Sequence, residues 1–132
     1  MTDLAPADLE PGTTVTHERT FTHEDVRTFT TVSGDEGDHH VEPDDEGRLL
    51  VQGLLTATLP TKVGGDLNVL ATRMEFEFRR PVHTGEHIVC EVEFTRVERR
   101  PDRLDVTADF EAVRTGDDTA VMAGLFEGVI RR

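Results

Sequence analysis

The chain has 132 residues and a mass of 14.7 kDa, the size of one ordinary domain. Fourteen Lys and Arg against 27 Asp and Glu leave a formal charge of −13, which repels nucleic acid and anionic lipid and argues against both as partners. No run approaches the roughly 20 apolar residues of a membrane span, and the lone Cys90 excludes an internal disulfide framework and a cysteine-based zinc site.

The charge also speaks of the solvent. Lys62 is the sole lysine among thirteen arginines, and the acids sit between well-patterned apolar residues. That composition suits a proteome adapted to high salt, where the Debye length falls to about 3 Å at 1 M and self-repulsion is screened. The opening stretch MTDLAPADLEPG lacks the basic and apolar regions of a secretory signal, so a soluble cytoplasmic protein is expected.

In chain order, residues 1–12 read as a loosely ordered arm with Pro6 and Pro11, followed by one domain over 13–132. Thr14 to Phe21 reads as a first strand. Thr22 is a helix N-cap with Asp25 three residues on, an acidic variant of the capping box, and Val26, Phe29 and Thr30 share a face behind it. Residues 34–48, GDEGDHHVEPDDEGR, have no period and form a loop. From Leu49 to Val63 the chain is apolar nearly all round, which predicts a buried helix stopped by Gly64-Gly65 and kinked or cut short at Pro60.

From Thr72 the period changes to two. Met74, Phe76 and Phe78 alternate with charged residues; so do Ile88, Cys90, Val92 and Phe94, and then Leu104, Val106, Ala108, Phe110 and Ala112. Val121 to Ile130 is apolar on both faces and reads as a central or covered strand. Cys90 falls among the core positions and is expected to be a small buried hydrophobe, while His83 and His87 flank a turn and are expected to be wet. The order strand, helix, loop, buried helix, four antiparallel strands is α+β, and a sheet wrapped round one apolar helix buries both.

Three stretches carry chemistry. The first is Phe29-Thr30-Thr31-Val32-Ser33-Gly34-Asp35-Glu36-Gly37-Asp38-His39-His40, with a histidine five residues after an aspartate. The second is Val51-Gln52-Gly53-Leu54-Leu55, and the third runs from Phe76 through Arg79-Arg80-Pro81-Val82 to Gly85-Glu86. In this order they resemble the motifs of the MaoC-like family, the (R)-specific enoyl-CoA hydratases, over roughly residues 20–130. The resemblance implies a hotdog fold, with an antiparallel sheet wrapped around a central buried helix. It also implies reversible hydration of a trans-2-enoyl thioester to an (R)-3-hydroxyacyl thioester, with no metal or redox cofactor. Asp35 and His40 would hold a water and share the acid and base work. The Gly53 N–H would donate to the thioester oxygen, and Thr61 is a second candidate for contact with the thioester. The substrate would be an acyl-CoA or acyl-carrier thioester, and the protein a homodimer.

Other readings stand beside these. A hotdog thioesterase would also use a loop carboxylate, and a non-catalytic acyl-thioester-binding subunit would keep the fold alone. His39 and His40 with Asp35 and Asp38 could ligate a metal. Arg79, Arg80 and Lys62 could meet CoA phosphates, or be paired with neighbouring acids. Where the family has Asn-Pro-Ile between aspartate and histidine, the intervening residues here are Glu36-Gly37-Asp38-His39, a change that loosens the turn, and Gln52 stands where the family has histidine.

Overall fold

The computed structural model describes residues 4–132. Its elements are β1 (Thr14–Thr20), α1 (His23–Ser33), α2 (Asp38–Val41), α3 (Gly53–Thr56), α4 (Thr58–Asp66), β2 (Leu70–Phe78), β3 (His87–Arg99), β4 (Arg103–Arg114) and β5 (Thr119–Arg131). The strands form a single five-stranded sheet in the order β1-β3-β4-β5-β2, with every neighbouring pair antiparallel.

The period-2 stretches set the sheet's two faces. Ile88, Cys90, Val92 and Phe94 of β3 and Leu104, Val106, Ala108, Phe110 and Ala112 of β4 are buried, and Leu55, Leu59 and Val63 of α3 and α4 join them in one core. Phe94 meets Phe126 edge-on at 6.0 Å, and Phe126 stacks on Phe110 at 6.5 Å. Each such side chain contributes about 1.5–3 kcal/mol by leaving water. This is the hotdog arrangement expected from the sequence. Cys90 lies fully inside it, where burial pushes its thiol up to about 12. The outer face is acidic. Glu91 lies opposite Glu111 and Glu93 opposite Asp109, and Glu91, Glu93 and Asp109 have no cationic partner among the described residues.

The first helix is built as the sequence predicts. Thr22 Oγ1 accepts from the Asp25 N–H, Asp25 returns a bond to the Thr22 N–H, and Gly34 closes the helix in the left-handed conformation at φ 75°. Three expectations need correction. Residues 49–52 are not helical: Leu50 bridges His83 and the Val51 N–H donates to Val82 O, so the run begins as extended chain and turns helical at Gly53. The kink falls at Ala57, three residues before Pro60, because proline has no N–H for the Thr56 carbonyl; the next bond, Thr61 to Ala57, is stretched to 3.5 Å. The helix then runs through Gly64 and Gly65 to Asp66, and Asn68 takes the left-handed turn at φ 60°.

The expected loose arm is also different. From Leu4 on it is packed: Leu9 is fully buried, Arg99 donates to the carbonyls of Ala7 and Leu9, and the Gly12 N–H donates to Phe94 O. Its first three residues lie outside the described residues.

The sheet's two edges differ. Strand β2 keeps Leu70, Met74 and Phe78 exposed along its outer edge, so only Phe76 of its apolar face packs against the core. It is held very close to β5: a Cβ on Gly124 would lie 1.9 Å from Glu75 O, so no other residue fits there. No helix among the described residues is long and apolar enough to cross a membrane.

Candidate active site

The end of α1 sets the first candidate residue. Gly34 turns the chain out of the helix, and Ser33 Oγ accepts from the Asp35 N–H at 3.0 Å. The turn and this bond aim the Asp35 carboxylate off the helix end, where its side chain is half exposed at 51%.

Strand-like residues set the second. The Leu50 N–H donates to His39 O at 2.9 Å, and His40 Nδ1 lies 2.6 Å from Leu50 O. A carbonyl can only accept, so Nδ1 carries a proton; in the neutral ring Nε2 then presents its lone pair. The His40 side chain is 7% exposed and its Nε2 stands 3.5 Å from Asp35 Oδ2. In that form an imidazole lone pair faces a carboxylate oxygen, two acceptors that a single donor of two protons can bridge. His39 lies edge-on to His40, with ring centroids 4.0 Å apart. It also covers Gly37, where a Cβ would come within 2.9 Å of its ring. The glycine expected to loosen this turn is therefore roofed by an imidazole.

Leu50 connects the pair to a cleft of about 230 Å³ lined by Leu50, Gly53, Thr56, Phe78, Arg80 and Val82 among others. Gly53 is the first residue of α3, so its N–H has no intrahelical partner. The Phe78 ring lies where a Cβ on Gly53 would be, 3.1 Å from that position. Thr61 is elsewhere. Its hydroxyl donates to Ala57 O at 2.9 Å, and it lines a separate cleft of about 140 Å³ with Gly64, Val69 and Phe126. The threonine that lines the Gly53 cleft is Thr56, a buried residue of α3.

The three candidate cations separate cleanly. Lys62 pairs with Asp66 at 2.8 Å, and Arg79 with Glu77 at 2.9 Å. Arg80 donates only to Arg79 O and has no carboxylate partner among the described residues, at the rim of the same cleft. The metal reading finds no geometry: among the described residues no three His, Cys, Asp or Glu side chains are placed to hold an ion.

No protein-family model matches the chain, and no curated protein matches it in sequence. Solved structures do match its fold. The chain has the hotdog fold of R-hydratases and MaoC-like dehydratases. It is similar to the unliganded R-hydratase PhaJ1 of Pseudomonas aeruginosa, with a TM-score of 0.78 at 21% identity, covering 96% of this chain and 84% of that one. It is similar also to an (R)-hydratase of A. caviae involved in PHA biosynthesis, with a TM-score of 0.79 at 24% identity over 92% and 96% of the two chains. A MaoC-like dehydratase of Rhodospirillum rubrum gives 0.74 at 17% identity over 96% and 95%.

Proposed function

We propose that this chain is a MaoC-like hydratase, one hotdog domain that adds water reversibly to a trans-2-enoyl thioester to give the (R)-3-hydroxyacyl product. The observation that carries the reading is His40 Nε2 standing 3.5 Å from Asp35 Oδ2, with Nδ1 committed to Leu50 O. A water donating one hydrogen to each acceptor sits with its oxygen lone pairs free to attack. As that oxygen bonds to C3, one of its protons passes to the pair and returns to C2, so the atoms balance without a second proton source. Negative charge moves meanwhile onto the thioester oxygen, where the unpaired Gly53 N–H at the helix start is suited to receive it.

Arg80 supports a carrier that bears phosphate, either coenzyme A or a protein-bound phosphopantetheine. In a chain of net charge −13, where its neighbour Arg79 is neutralised by Glu77, an unpaired guanidinium at the cleft rim is the one local attraction for an anion. The exposed edge of β2, with Leu70, Met74 and Phe78, supports a homodimer in which a second copy covers that edge.

The test is direct. Purified protein in molar KCl should bleach the conjugated absorbance of crotonyl-CoA. Thiol release from a saturated acyl-CoA would replace this reading with a thioesterase, and neither signal from a folded dimer would leave a binding subunit.

A further inference from the structure

Gln52 is the residue before Gly53 and is 1% exposed. Its Nε2 donates to Thr30 Oγ1 at 2.8 Å and points to Val26 O at 3.4 Å, both on α1. The orientation of the amide is determined by its partners. Val26 O can only accept, and Thr30 spends its own hydroxyl proton on Val26 O at 2.9 Å, so its oxygen can only accept from Gln52. Gln52 Oε1 is thereby turned to a place where no protein donor reaches it. It is the sole buried side-chain polar atom among the described residues without a hydrogen-bond partner.

Buried polar groups are almost always satisfied, and an orphan costs stability. A leucine or methionine would fill this position without an orphan, and Thr30 would keep its bond to Val26. The amide therefore does something that packing does not require. It is a side-chain tie from the residue before Gly53 to the body of α1, at Val26 in the first turn and at Thr30, whose carbonyl receives the closing Gly34 N–H. We infer that Gln52 is a positioning residue: it holds α1, and with it Asp35 just beyond the helix end, in register with the Gly53 amide, at some expense in stability. The catalytic part of this inference rests on the hydratase reading; the mechanical part does not.

The experiment is Gln52→Met in the full chain, with three readouts. The thermal midpoint should equal or exceed that of the unaltered protein, since the orphan is gone. Hydrogen exchange at the amides of residues 34–40 should quicken at least several-fold, while exchange in β3 and β4 stays unchanged. For crotonyl-CoA hydration, kcat should fall tenfold or more with KM within twofold. Gln52→His, which restores a side-chain donor, should recover part of kcat. A lowered midpoint with unchanged exchange at 34–40 makes Gln52 a packing residue and overturns the inference; so does an unchanged kcat. If the unaltered protein hydrates nothing but exchange still quickens locally in Gln52→Met, the hydratase reading fails while the tie between α1 and α3 stands.

Discussion

The sheet of β3, β4 and β5 and the segment from Gly34 to Gln52 are built on opposite plans. The sheet's inner face carries hydrophobic side chains that touch one another, and its order follows from ladder bonds repeated strand to strand. The segment has one short helix and enters the core only at its far end, through Leu49 and Val51; its polar part hangs on single bonds such as His40 on Leu50 O and Leu50 on His39 O. Stability thus resides where no chemistry is proposed, and the proposed chemistry resides where little stability does. A polar site can be held firmly by a few well-chosen carbonyls once a rigid sheet stands behind it.

That contrast can be broken by mutation. On the sheet side, Phe94→Ala should cost about 3–5 kcal/mol of unfolding free energy in denaturant titration, since it empties a fully buried site against Phe126. A loss under 1 kcal/mol would mean the inner face is not the seat of stability. On the segment side, Asp35→Asn should leave the unfolding midpoint almost unmoved while slowing hydration by about 10²–10⁴-fold. Its half-exposed carboxylate packs against little, so a large fall in stability would erase the division between the two regions.

Two smaller effects sharpen the boundary. Arg80→Glu should raise KM for a CoA thioester by about tenfold at low salt and leave KM for a phosphate-free pantetheine thioester unchanged. Arg79→Gln, which removes an already neutralised charge, should alter neither. On the sheet's outer face, Glu93→Gln relieves the repulsion with Asp109 and should add about 0.2–1 kcal/mol at low ionic strength, an increment that vanishes in molar salt. Equal gains at both salt concentrations would show that screening is not what makes this acidic face tolerable.

The same contrast explains what could be read in advance. Strands β3 and β4 were legible because one wet face and one dry face impose a period of two, although β2 shows the same period and buries only Phe76. Helix α1 was legible because Thr22 and Asp25 spell its start and Gly34 its end. The stretch from Leu49 to Gln52 was not, because a run that is apolar on all sides looks alike whether it is helix or buried extended chain. Only the long-range pairing with Val82 and His83 decides the matter.

At the candidate site, the spacing of Asp35 and His40 and its resemblance to a known motif single out two side chains that the fold brings within 3.5 Å. The anchor on Leu50 was invisible, since a backbone carbonyl leaves no trace in residue identity. Thr61 is a candidate for the thioester contact only through the family resemblance, and its hydroxyl is spent on Ala57 O beside a separate cleft. With the helix opening at Gly53 and the bend at Ala57, Thr56 meets the Gly53 cleft instead. Gln52 carried a signal of its own, a glutamine in an otherwise greasy run.

The solitary sulfur at the centre of β3 gives the molecule an internal clock. A thiol held near 12 is almost wholly protonated in ordinary buffers, and no reagent can approach it while the strands remain zipped. Any alkylation of Cys90 must therefore wait for the bun to come apart. Labelling kinetics in graded KCl would time that event molecule by molecule, with no engineered probe and no second sulfhydryl to confuse the count.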